Sequence, residues 1–268
     1  CRICQSNIEP FMSFGMMPIS NCFLTPDQFT DEYFYELQPV FCENCSTFQI
    51  AEQPDPNRMF HENYAYFAST SNYMVDHFKS FSDSITSKNN LDKDSLVVEL
   101  GSNDGIMLQH FLANNIGCLG VEPSENVANV SREKGIEVIS EFFDLDLARF
   151  ISKNYKKADA ILGANVFCHI PYIHSVYEGV KILLDQEGIF VFEDPYIGDV
   201  IEKSSFDQIY DEHVFLYSAL SVQKLGLMHG LELIEVEPQS THGGSMRYTL
   251  AHEGVKKVGK SVADLIKN

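Results

Sequence analysis

Basic residues are scarce in this sequence: 19 Lys and Arg stand against 38 Asp and Glu over 268 residues, a formal net charge of −19. Such a surface repels phosphate backbones and anionic headgroups, which excludes general nucleic-acid binding and association with an anionic membrane. One small anionic substrate in a local pocket stays compatible with it. Long apolar runs are also missing: no stretch reaches the roughly 18 residues that a membrane-spanning helix needs. No signal-peptide pattern, internal repeat or low-complexity tract is visible. The dinucleotide pattern GxGxxG is absent too, which counts against a nicotinamide-dependent oxidoreductase. What remains is a globular protein expected in the cytoplasm, with 44% hydrophobic and 21% charged residues and enough chain for one large or two modest domains. Its oligomeric state is not legible.

The seven cysteines are unevenly placed. Cys1, Cys4, Cys42 and Cys45 form two CxxC pairs near the N-terminus, while Cys22, Cys118 and Cys168 stand apart. Two CxxC knuckles can offer four thiolates to a tetrahedral Zn²⁺. The alternative is four unrelated buried cysteines, which paired spacing disfavours. No histidine stands beside the four thiols, so the expected zinc is structural rather than catalytic, in a reducing compartment.

Residues 1–60 are rich in Pro, Phe, Tyr and Met with little helical periodicity, and read as short strands and turns around the cysteines. Residues 61–95 hold a Tyr-rich stretch, a helical pattern and the polar connector NNLDKDS. From 96 to 250 short apolar runs alternate with amphipathic ones, beginning LVVEL, IMLQHFLANN, CLGVEP and NVANVSREKG. That alternation predicts an α/β domain with a mainly parallel, Rossmann-like sheet. Residues 251–268 remain as the start of a further segment.

The first turn of that domain reads VVELGSNDG, with Glu99, Gly101, Asn103, Asp104 and Gly105 at the expected cofactor edge. Glycines there let a ligand approach the backbone. A carboxylate after the second strand, Glu122 in GVEPS, is placed to accept from the hydroxyls of a ribose. This combination points to an S-adenosylmethionine-binding class I methyltransferase domain. Pro123, Phe142 and Phe143 in EFFDLDLA, and Asn165 in GANVFCHI, complete the expected cofactor set, one of the two phenylalanines being core. His169 ends the fourth strand, where chemistry is expected in open α/β sheets, although a lone histidine is as often structural. IYDEHVFLYS brings together Tyr210, Asp211, Glu212 and His213 after the fifth strand. It reads either as a helix start with exposed acids or as a segment over the cleft with His213 as general base. Tyr64 and Tyr66 suit a sugar or phosphate but equally suit core packing. In THGGSMRY, Arg247 can pair a phosphate or balance acidic surface.

Taken in order, CRIC, CENC, NYAYFASTS, VVELGSNDG, VEPS, ANVFCHI, YDEHVFLYS and HGGSMR resemble the zinc-containing sugar-nucleotide C-methyltransferases of deoxysugar biosynthesis, over nearly the whole chain. The resemblance implies a structural zinc domain packed on an S-adenosylmethionine domain, and a nucleoside-diphosphate 4-keto-deoxysugar methylated at C3. It implies His213 as the base, Glu212 and Tyr210 as its neighbours, and His169 and Tyr64 as further catalytic residues. It also implies a C-terminal domain, of which residues 251–268 would be the beginning. Methylation on N or O of a sugar or small metabolite, and a non-catalytic zinc-ribbon interaction protein with a degenerate methyltransferase domain, are the competing readings.

Overall fold

Each short apolar run between residues 96 and 195 is wide enough for one buried strand, and the polar-faced runs between them coil into helices. The computed structural model describes residues 1–60 and 64–267. Four short strands come first: β1 (Met16–Pro18), β2 (Phe34–Glu36), β3 (Pro39–Cys42) and β4 (Thr47–Ile50), followed by the single turn α1 (Pro56–Met59). The long α2 (Asn72–Asn89) buries Met74, Phe78, Phe81 and Ile85, one stripe at helical spacing. Ser71 caps its N-terminus through Met74 N, and Asn90, at φ +52°, ends it in the left-handed conformation Asn tolerates.

A seven-stranded sheet then forms from β5 (Leu96–Leu100), β6 (Gly117–Val121), β7 (Glu137–Ile139), β8 (Ala158–Ala164), β9 (Leu184–Pro195), β11 (Leu231–Gln239) and β12 (Ser245–His252). The strand between the last two groups, β10 (Phe215–Leu216), belongs to a different sheet. The order is β11-β12-β9-β8-β5-β6-β7, and β12 runs antiparallel to both its neighbours while the other pairs are parallel. All five residues of β5 are buried because helices cover both faces. On one face Val97, Ala160, Leu162 and Val191 meet α2 and α3 (Leu108–Ala113). On the other, Val98, Ile161, Phe190 and Phe192 meet α5 (Leu145–Asn154), α6 (Ile173–Leu183) and α8 (Ala219–Met228). The helices α4 (Glu125–Glu133) and α7 (Ile197–Lys203) follow β6 and β9, and α9 (Lys260–Lys267) packs on β11 and α8. No helix among the described residues is long and apolar enough to cross a membrane.

The expected Rossmann-like α/β fold is therefore present, with one arrangement the sequence did not announce. β10 pairs antiparallel with β4, Phe215 opposite Gln49 and Leu216 opposite Phe48, giving the three-stranded sheet β10-β4-β3. Phe215 and Leu216 of IYDEHVFLYS thus form a strand of the N-terminal domain's sheet, and its last residue, Ser218, caps α8, so the buried acids Asp211 and Glu212 do not begin a helix.

Candidate active site

The carboxyl ends of β5, β6, β8 and β9 open into a cleft of about 530 Å³. Segment 64–68, the loops after β6, β7 and β8, and Asn21 and Phe23 of the N-terminal domain also wall it.

At one end lies the turn after β5. Gly101 takes φ +66°, and a Cβ there would sit 2.3 Å from Val166 Cγ2. A side chain would therefore close the turn from the side where β8's loop approaches. Asn103 N and Ser124 N donate to the two oxygens of Glu122 at 2.9 and 2.8 Å. Burial raises the Glu122 carboxyl above its ordinary value, and these two N–H groups oppose the rise. Each oxygen keeps a lone pair for a further donor such as a ribose hydroxyl. Glu99 is 3% exposed, its Oε2 has no partner, and burial pushes its pKa well up. Pro123, Phe142, Phe143 and Asn165 line the same end, Phe142 partly exposed and Phe143 buried. An orphaned buried carboxyl, an open glycine turn and a pre-oriented Glu122 fit S-adenosylmethionine.

Asp104 and Gly105 do not line the cleft. Asp104 accepts from Ser69 N at 3.0 Å and lies 3.9 Å from Lys134 Nζ, while Gly105 is pressed against Ser131 and Ile136 beneath α4. The turn's polar side chains grip segment 64–70 instead: Asn103 Oδ1 accepts from Ala68 N, and Asn103 Nδ2 donates to Tyr66 O. His61–Asn63 of the Tyr-rich stretch lie outside the described residues.

Tyr64, His169, Tyr210, Glu212 and His213 all line the same cleft. The rings of His169 and His213 stack at 5.4 Å, and Phe60 stacks on the opposite side of His169 at 5.5 Å. His213 Nδ1 lies 2.7 Å from Gln208 O, so Nδ1 carries the proton and Nε2 is left as the acceptor. Burial pushes the His213 pKa down to about 4, and burial with the neighbouring His213 pushes His169 well down, so both rings are neutral at neutral pH. His169 Nε2 is buried without a partner. Burial and then Glu212 raise the phenols of Tyr64 and Tyr210, keeping both as hydrogen-bond donors. Glu212 is itself raised by burial, while Asn21 Nδ2, donating to its Oε1 at 2.6 Å, favours the charged form.

The four paired cysteines converge as their spacing predicts. Cys1 Sγ lies 3.5 Å from Cys45 Sγ and Cys4 Sγ 3.4 Å from Cys42 Sγ, with all four sulfurs within 4.8 Å of one another. A tetrahedral Zn²⁺ with bonds of about 2.3 Å fits this set after a small expansion. Gln49 Nε2 donates to Cys1 Sγ at 3.2 Å, an outer contact of the kind that orients metal ligands.

Four carboxyl groups, Glu99, Glu122, Glu141 and Glu212, line the cleft and no Lys or Arg does so among the described residues. An acidic cleft attracts a cationic sulfonium. Arg247, read above as a possible phosphate partner, is excluded from that role: it is buried, its Nε donates to Glu193 Oε1 at 2.6 Å, and its guanidinium lies 3.8 Å over the Phe81 ring. Glu193 also bonds His77 Nε2 at 2.7 Å, so the arginine closes an internal charge network. Phe60, Asn21, Gln208 and His242 line the cleft unannounced. Only His242, beside the paired glycines of THGG and at φ +51°, left a trace in the sequence.

Comparison with known proteins agrees with this geometry. Residues 1–60 match a family described as "Putative zinc binding domain", and residues 66–236 match one described as "Methyltransferase domain". The C-methyltransferase NovU of Streptomyces niveus is 32% identical over 248 residues, covering 92% of this chain and 59% of that protein. The chain thus spans a little over half the length of that relative. In fold, magnesium protoporphyrin IX methyltransferase of Synechocystis PCC 6803 with bound SAH superposes with TM-score 0.52 at 14% identity, covering 67% of this chain and 83% of that one. The CcbJ methyltransferase of Streptomyces caelestis gives TM-score 0.51 at 13% identity, covering 66% and 90%. The match to the methyltransferase domain runs over well more than half of the sequence, and the protein belongs to that methyltransferase family, with a match to a zinc-binding domain in front.

Proposed function

We propose that the protein is a C-methyltransferase acting at C3 of a nucleoside-diphosphate 4-keto-deoxysugar, with His213 as the general base. The observation that carries this is His213 itself: a neutral imidazole with Nδ1 bonded to Gln208 O, sharing one cleft with Glu122 and the glycine turn. The resemblance to sugar-nucleotide C-methyltransferases suggests the substrate class, and the 32% identity to NovU, a C-methyltransferase, supports carbon as the acceptor.

A carbonyl at C4 makes the C3 hydrogen acidic, so a base of modest strength suffices. Nε2 of His213 takes the proton, and the C–H electron pair moves into the carbonyl, leaving an enolate with its charge on the C4 oxygen. That charge needs donors aimed at it in a dry site. His169, Tyr64 and Tyr210 supply N–H and O–H groups there, and burial keeps the two phenols protonated. Glu122 would hold the ribose of S-adenosylmethionine and Glu99 would help to bind it, and the cofactor when bound would supply an electrophilic methyl group for the enolate carbon. With no Lys or Arg on its walls among the described residues, the cleft suits the sugar ring better than the diphosphate.

The test follows deuterium exchange at C3 and mass gain on a thymidine-diphosphate 4-keto-deoxysugar. His213→Ala should abolish C3 exchange and leave S-adenosylhomocysteine affinity within about twofold, since this reading gives the base no contact with the cofactor. Methylation without C3 exchange in the wild-type protein would show an N- or O-acceptor and overturn the reading.

A further inference from the structure

The residues that hold the catalytic acids come from the zinc-binding domain. After β1 the chain turns through Ile19, Ser20, Asn21, Cys22 and Phe23, with Ile19 buried as its anchor. Ser20 Oγ donates to Asp211 Oδ1 at 2.6 Å, and Asn21 Nδ2 donates to Glu212 Oε1 at 2.6 Å. Both bonds join residues 191 apart in the chain and reach carboxylates that are almost fully buried. On the far side of His213, Val214 O accepts from Ile50 N at 3.0 Å, and β10 begins with Phe215 paired to Gln49, the residue that touches Cys1 Sγ. Residues 211–216 are therefore clamped at both ends by residues 1–60.

We propose that Asn21 is a positioning residue of the reaction: through its amide it fixes Glu212 in place beside His213 and the two phenols. This rests on the role assigned above to residues 210–213. The groups facing Glu212 explain why it needs such a partner. Asp211 and Tyr210 stand on its own segment, Tyr64 approaches from segment 64–68, and Cys168 from the loop after β8. None of them carries a positive charge. A buried carboxylate there keeps its charge only through hydrogen bonds, and Asn21 supplies a short one. Losing it lifts the carboxyl pKa further, because burial is left less opposed. Asn21 carries no motif, and nothing near it in the sequence marks it.

The experiment compares the whole chain as wild type, Asn21→Ala, Glu212→Gln and the double variant. C3 deuterium exchange on a thymidine-diphosphate 4-keto-deoxysugar is followed across pH, with backbone amide deuteration of residues 208–214 read by mass spectrometry in the same samples. Asn21→Ala should slow exchange about tenfold, as expected for one hydrogen bond to a charged group, with KM within about twofold. Its acid limb should move to higher pH, and its 208–214 amides should deuterate faster. Added to Glu212→Gln, Asn21→Ala should change exchange no further, because the two act as a unit. An unmoved acid limb, full additivity, or a rise in KM alone overturns the proposal. Should the wild-type protein show no C3 exchange, the assigned reaction fails. The amide data then decide alone, and unchanged deuteration at 208–214 overturns the clamp.

Discussion

Glu122 ties the turn after β5 to the loop after β6, and the proposed ribose role builds on that. Its two oxygens already accept from Asn103 N and Ser124 N, which orients the carboxylate before any ribose arrives. Glu122→Gln replaces one acceptor oxygen with a donor and should weaken S-adenosylhomocysteine binding by about tenfold in calorimetry. Unchanged affinity would remove Glu122 from the ribose site. His213 makes a statement about stability as well. Its folded pKa of about 4 lies below its ordinary 6.5. Between those values the unfolded chain binds a proton that the folded one does not, so stability falls as pH drops through that window. Glu99 works in the opposite sense, because its raised carboxyl binds a proton more readily when folded. His213→Asn should flatten the loss of thermal stability between about pH 6.5 and 4, and an unchanged slope would contradict its buried neutral state.

Elements explain why glycines stand where they do. The β5–α3 turn uses two left-handed glycines for different reasons. Gly101 gives Val166 of the β8 loop room at the cleft wall, whereas Gly105 lets α4 and the residues after it close on the turn. A Cβ at Gly105 would lie 2.5 Å from Ser131 Oγ and 2.6 Å from Ile136 Cδ1. Gly105→Ala should thus cost roughly 1–3 kcal/mol of overpacking and backbone strain, about 3–10 °C in Tm, with cofactor affinity affected mainly through stability. Gly101→Ala should weaken cofactor binding before it lowers Tm, because Val166 borders the cleft. Equal effects of the two substitutions on binding at a temperature where both are folded would sink this distinction. Much of the element level was legible beforehand. The alternating runs from LVVEL onward correspond to strands and helices because central parallel strands must be apolar on both faces, a pattern written in consecutive residues. β10 was not legible, since two residues carry no period and their partner β4 lies 166 positions earlier, from Phe215 to Gln49.

On the scale of the whole molecule the zinc-binding domain forms part of the wall of the cleft. Its sheet takes β10 as an edge strand, and its turn at 20–21 holds the acids beside His213. Metal bound to four thiolates stabilises such a small domain, so its removal should be felt at the cleft. Chelation should release one equivalent of zinc and speed amide deuteration at 208–216 along with 1–50, leaving β5 and β6 protected. Protection at 208–216 that survives zinc loss would show that the cleft does not depend on the metal. Domain matches for residues 1–60 and 66–236 describe two separate families, and it is their packing that joins them into one site.

Sequence by itself determined the sheet's strands, the thiolate set and the cofactor turn, because each depends on residues close along the chain or on a fixed spacing. It marked Glu122, His169 and His213 as candidates by their position after strands. Only the tertiary structure decided which of these face a common cleft, that Asp104 and Arg247 are spent on internal contacts, and that Asn21 reaches Glu212. Those outcomes depend on side-chain direction and on pairings across up to 191 residues, which are fixed by packing and not by any local pattern.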